Sequence, residues 1–170
     1  MGNFRKMNFC PYYPNIPVFS PGFDNQFPNN YFSPLKLMDY GPCPFVINIE
    51  EAAKQNNNFR IALWTGNYLQ LTLMSINVGE DIGLEMHPNL DQFLRIEEGR
   101  GLVQMGDRKD RLDYQAHVQD DYAIIIPAGK WHNLINTGNR PIKLYSIYAP
   151  PEHPFGTVHK TKQDAAEHHR

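Results

Sequence analysis

Apolar positions along this chain recur in short runs and hold no sustained helical period. Segments 59–64, 67–77, 91–97, 101–105, 114–118, 122–126 and 142–148 are rich in Leu, Ile, Tyr and Phe, and Gly, Asn, Asp or Pro separates them. Such runs between turn residues predict short strands. In LQLTLMSI (69–76), Leu69, Leu71 and Leu73 alternate with Gln70 and Thr72, the pattern of a half-buried strand. Pro127-Ala128-Gly129 reads as a turn that delivers His132 onto a further strand. One short helix is expected over 47–53, with Asn48 as its N-cap and two acids in its first turn. A second, polar helix is expected from Lys162 onward. Many short strands with no long helix argue an all-β sandwich or barrel. No internal repeat is visible.

Length and charge narrow the function classes. A chain of 170 residues suits one domain with a real core. A formal net charge of −2 gives no reason to expect nucleic acid or an anionic membrane as partner. No apolar run approaches the roughly 20 residues of a membrane helix. The start of the chain lacks the apolar core of a signal peptide, so a cytoplasmic location is expected. Cys10 and Cys43 have no neighbouring ligand residues that would suggest zinc; they read as thiols or as a crosslink.

Residues 1–44 stand apart. They hold eight of the fourteen prolines and ten of the twenty-one aromatic residues. Proline at this density opposes helix and central strand, and the aromatics need a surface. An arm is therefore expected over 1–44, draped on its own barrel or docked on another chain. Its composition resembles that of coat and surface-layer proteins of spore-forming bacteria, which makes a spore coat the alternative location. Residues 105–113 read as a charged, solvated connection, and His168 and His169 as exposed.

The candidate chemistry lies in GEDIGLEMHPNLDQFLRIEEG (79–99) and DYAIIIPAGKWHNLIN (121–136). Glu85 and His87 are two apart, so on a strand they share a face. Gln92 follows after a Pro-Asn turn signal, and His132 comes from the second stretch. All four side chains can donate to a hard or borderline divalent cation. Without sulfur, the set suits Fe, Mn, Zn, Co or Ni. The amide of Gln92 is a weak ligand, which leaves a position for substrate.

These two stretches resemble the two motifs of cupins. Gly79, Glu85, His87, Gln92 and Gly99 fall at the spacing of the first motif. Asp121, Pro127, Gly129, His132 and Asn136 fall at that of the second. Glu85 replaces the usual His, Gln92 the usual Glu, and Asp121 the usual Gly. From Phe45 to about Asp164 the chain looks like single-domain bacterial cupins often labelled mannose-6-phosphate isomerase-like. The resemblance implies a double-stranded β-helix, or jelly-roll barrel, at 45–150, a C-terminal extension at 151–170, and convergence of Glu85, His87, Gln92 and His132 on one metal ion.

The implied function is a small metalloenzyme acting on a sugar or another oxygen-rich small molecule. Cupin phosphomannose isomerases use the same donor inventory with two places exchanged, so isomerase- or epimerase-like proton transfer ranks first. A non-haem iron dioxygenase is the second reading, since two His and one carboxylate match its ligand count. A non-catalytic structural or ligand-binding barrel is the third, with the arm, Cys10 and Cys43 docking or crosslinking neighbours. Gln70, Arg95, Tyr145 and Tyr148 are candidate substrate contacts. His153 and His159 sit in a stretch able to fold across the barrel. A homodimer is expected.

Overall fold

The structure, a computed structural model, describes residues 35–167. Helix α1 (Ile49–Gln55) begins at Asn48, whose side chain accepts a hydrogen bond from the Glu51 amide. That bond satisfies one of the amides that a helix start leaves unpaired. Asn48 itself is extended, so the helix starts two residues later than the pattern suggests.

The strands follow in quick succession: β1 (Arg60–Thr65), β2 (Gln70–Ile76), β3 (Asp91–Glu98), β4 (Arg100–Gly106), β5 (Tyr114–Gln119), β6 (Ala123–Ile126), β7 (Trp131–Asn136), β8 (Ile142–Ala149) and β9 (Val158–His159). Helix α2 (Lys162–Glu167) ends the described chain. One sheet runs β6-β3-β8-β2-β1-β9 and the other β5-β4-β7, and every pair among them is antiparallel. The sheet therefore continues past residue 150 through β9. Between the sheets lies one apolar core, which includes Met74, Ile96, Val103, Ile124, Leu134 and Leu144. Among the described residues no helix is long and apolar enough to cross a membrane.

Residues 79–87 run beside β7 as an interrupted fourth strand of the smaller sheet. Gly79 and Ile82 donate to the Asn136 and Leu134 carbonyls. Glu85 and His132 exchange both backbone hydrogen bonds, at 3.1 and 2.9 Å. Two turns show why the motif positions are restricted. Gly99 has φ 98°, and a Cβ there would lie 2.9 Å from the Pro141 carbonyl oxygen, so only glycine fits. Asp121 takes φ 71° where a glycine is usual. Asp tolerates that region better than most residues, and its carboxylate meets Arg95 at 2.6 Å.

The half-buried reading of β2 is overturned. Gln70 and Thr72 are fully buried toward the barrel interior, while Leu71 and Leu73 face an outer layer. Leu35, Leu37, Tyr40, Phe45 and the buried face of α1 cover that side. Both faces of the strand are therefore sequestered, and the leucines mark the outer layer rather than the interior. Asp39 ties this cover down by accepting from the Gly41 amide, the Thr65 hydroxyl and the Gly156 amide.

Residues 35–44 of the expected arm thus pack on their own barrel; the rest of it lies outside the described residues, as do Cys10, His168 and His169. Cys43 is disulfide-bonded rather than a free thiol. The 105–113 connection is mostly exposed and carries local ion pairs such as Arg108–Asp110 and Arg111–Asp113.

Candidate metal centre

The backbone exchange between Glu85 and His132 makes them direct cross-strand neighbours, so their side chains leave on one face. His87, two residues on, shares that face. The carboxylate oxygen Oε1 of Glu85 lies 3.5 Å from His87 Nε2 and 3.4 Å from His132 Nε2. One ligand atom from each of the three residues falls within 4.8 Å of the others. The two imidazole rings are 5.5 Å apart and tilted by 48°.

The outer nitrogens of the two histidines are already engaged. His132 Nδ1 lies 3.0 Å from the Lys130 carbonyl oxygen, and His87 Nδ1 lies 3.3 Å from a Glu152 carboxylate oxygen. An acceptor at Nδ1 fixes the proton there and leaves Nε2 with a free lone pair, as metal-ligating histidines require. Both Nε2 atoms and Glu85 Oε1 are buried without a hydrogen-bond partner. Leaving three such atoms unsatisfied together is costly for a protein alone. A divalent cation satisfies all three, so the residues present fit a metal.

Gln92 is the second residue of β3, where it pairs with Tyr148 of β8. Its Nε2 donates to the Ser146 hydroxyl at 3.1 Å, which fixes the amide and leaves Oε1 buried and without a partner. Tyr148 is fully buried, its ring edge-on to His87 at 5.8 Å, and its hydroxyl also lacks a partner.

The electrostatics suit a cation. Burial opposes the charge on Glu85, but the two imidazoles and the Arg60 guanidinium outweigh it and hold the carboxyl well below its usual range. Burial pulls His87 down, while Glu85 and Glu152 outweigh it and leave its pKa raised. Burial pushes the Tyr148 phenol up, so it stays protonated.

The other sequence candidates have different places. Gln70 is buried, but its amide oxygen accepts from the His153 amide and its amide nitrogen donates to the His153 carbonyl and to Thr65. It pins the returning chain rather than facing a ligand. Arg95 and Tyr145 occupy alternate positions of β3 and β8 that point away from the interior. Arg95 pairs with Glu97 and Asp121, and Tyr145 packs beside Phe93 and the outer layer. Of the four candidate substrate contacts the structure therefore brings Tyr148 to the cluster and not the other three: the register directs Arg95 and Tyr145 outward, and the His153 backbone occupies the Gln70 amide. His153 stacks edge-on against Tyr148 at 5.1 Å and lies 6.3 Å from His159. Sequence reasoning missed Glu152 and Arg60. A carboxylate beside His153 in a stretch able to cross the barrel was the available signal for Glu152. For Arg60 it was a lone cation at the head of an apolar strand.

Similarity to known proteins agrees with this geometry. Residues 72–148 match the family described as cupin domain. Over 131 residues the chain is 70% identical to the uncharacterized protein YrkC of Bacillus subtilis (strain 168), which covers 77% of this chain and 70% of that one. The chain is a cupin. A crystal structure of BH2720 from Bacillus halodurans shares 70% sequence identity with this cupin, with a TM-score of 0.77 over 77% of this chain and 99% of that one. The uncharacterized protein L612 of Acanthamoeba polyphaga mimivirus is 40% identical over 116 residues, 67% of this chain and 70% of that one. A Klebsiella pneumoniae protein with a double-stranded β-helix domain superposes with a TM-score of 0.53 at 18% identity, over 68% of this chain and 92% of that one. That last likeness concerns the fold alone.

Proposed function

We propose that this cupin is a metalloenzyme in which Glu85, His87 and His132 hold a divalent ion, with Gln92 as a weak fourth donor, and that it catalyses isomerase- or epimerase-type proton transfer on a small oxygen-rich molecule. The observation that carries the reading is the set of buried, unpartnered atoms on one interior: Glu85 Oε1, His87 Nε2, Gln92 Oε1, His132 Nε2 and Tyr148 Oη. A bound divalent ion supplies Lewis acidity there, polarising a carbonyl or hydroxyl oxygen.

Glu152, the partly exposed carboxylate beside His87, would take the proton from the carbon next to the carbonyl and return it. Glu152 and the Lys130 carbonyl orient the two imidazoles. Ser146 fixes the Gln92 amide. Tyr148, kept protonated by burial, offers a hydrogen bond to the substrate oxygen that gathers negative charge. The surrounding apolar core excludes water, which strengthens that bond.

The test is solvent deuterium exchange, followed by NMR, with manganese- or zinc-loaded protein and a panel of sugars and hydroxycarbonyl compounds. At least one compound is expected to exchange the hydrogen beside its carbonyl carbon, only with metal present. Tyr148→Phe is expected to slow that exchange by about 10²-fold while the metal content stays the same. Absence of exchange across the panel, combined with oxygen uptake by the iron-loaded protein, would transfer the assignment to oxygenation.

A further inference from the structure

Arg60 is the cation that the metal centre leaves unexplained. It is only 2% exposed. Its register partner on β2 is Met74, a residue of the barrel core, and on β9 it is His159. Its side chain therefore enters the interior, since paired positions share a face. Its Nε is buried without a hydrogen-bond partner, and no ion pair among the described residues reaches its guanidinium. The Phe59 ring lies 5.6 Å from it, which gives a cation a face to rest on but no acceptor.

Arginine stays charged under any folding condition. A buried charge with no counter-charge is expensive, and replacing it with an apolar residue of similar volume is often stabilising. Among the described residues Glu85 and Glu152 are the carboxylates beside the two imidazoles, and a divalent ion there balances them. Arg60 then leaves the charges of the described residues positive by a single charge, which one further carboxylate would neutralise.

We propose that Arg60 anchors the carboxylate of a small hydroxy- or oxo-acid, whose second oxygen is directed toward the metal held by Glu85, His87 and His132. The planar fork of a guanidinium matches a carboxylate through two parallel hydrogen bonds. A more highly charged phosphate would call for further donors. The other buried cation among the described residues, Lys143, donates instead to the Asn56 carbonyl and to Asn57. A line of rings joins the two ends of the site. His159 pairs with Arg60 in register and lies 6.3 Å from His153; His153 lies 5.1 Å from Tyr148, and Tyr148 lies 5.8 Å from His87.

This inference rests on the metal reading above and narrows its substrate to acids. The test is calorimetry on the full chain, with and without Mn(II), using glycolate, pyruvate, succinate, inorganic phosphate and mannose. The parent is expected to bind at least one of the three acids. Arg60→Met should weaken that binding at least tenfold, leave bound manganese unchanged and melt no lower than the parent. Arg60→Lys should keep part of the affinity.

Binding of phosphate or mannose with none of the acids would overturn the assignment. So would acid binding that is equal in parent and Arg60→Met, or an Arg60→Met protein that melts well below the parent, which would mark Arg60 as structural. If manganese does not bind while an acid still binds and depends on Arg60, the metal reading fails and the anchor stands. If no acid binds in either state, the anchor fails.

Discussion

The two ends of the barrel interior are built by the same strands and differ in chemistry. Along β2 the inward positions pass from Gln70 and Thr72 to Met74 and Ile76. Along β3 they pass from Gln92 to Leu94 and Ile96, and along β8 from Tyr148 and Ser146 to Leu144 and Ile142. All of these are buried, so exposure does not separate the ends. Hydrogen bonding does. On these three strands the inward positions of the apolar end have nothing to satisfy, whereas those of the polar end keep ligand-type atoms unpaired; the unpaired Arg60 enters beside Met74 from β1. Stability and function are thus divided within one core, since buried polar groups go unpaired only where something else is to meet them.

The division can be tested from its apolar end first. Leu144→Ala should cost about 2–5 kcal/mol of stability, read by denaturant unfolding, while the folded fraction keeps its metal. A mutant that unfolds no more easily than the parent would contradict the assignment of the core. Next comes a polar-end residue that is structural. Gln70→Leu unpairs the His153 amide and carbonyl, so a loss of about 1–3 kcal/mol is expected. The 151–157 return also carries Glu152, so metal affinity should fall roughly tenfold as the acceptor on His87 is disturbed. Unchanged affinity would separate Glu152 from the centre.

A smaller effect concerns pH. Burial disfavours a charged His87, but Glu85 and Glu152 raise its pKa above the ordinary imidazole value. In the metal-free protein the protonated ring therefore contributes stability that is fully present below the unfolded imidazole pKa and is lost as pH rises through the folded value. Metal must displace that proton. Affinity should climb with pH through the imidazole range and continue above it, with proton release visible in calorimetry. A flat profile between pH 6 and 8 (on the order of the range in which histidine titrates) would contradict it.

Much of this was legible in the residues. Turn-bounded apolar runs gave most strand positions within a few residues, and Asn48 announced its helix. The spacing of Glu85, His87, Gln92 and His132 carried the candidate centre, because each lies on or beside a strand whose register brings it inward. The inverted face of β2 was not legible. Leu71 and Leu73 look like core until Leu35, Leu37 and α1 are known to cover the other side, and nothing local to 69–76 states that. Arg60 and Glu152 were hidden for a related reason. Each reaches the interior through long-range pairing, Arg60 through β2 and β9 and Glu152 through the return pinned by Gln70, so no short-range pattern surrounds either. The outward placement of Arg95 and Tyr145 was not legible either, because each sits one position away from an inward residue and a shift of one residue reverses the face.

The central claim is that the unpaired atoms of the polar end belong to a metal site. Elemental analysis of protein purified without an affinity tag or added metal, beside Glu85→Gln and Glu85→Ala/His132→Ala variants, tests it most directly. The account predicts near-stoichiometric divalent metal in the parent, loss of it in both variants, and a metal-free Glu85→Gln protein that still folds. A parent that carries no metal, and whose melting temperature no added Fe, Mn, Co, Ni or Zn raises, would contradict it.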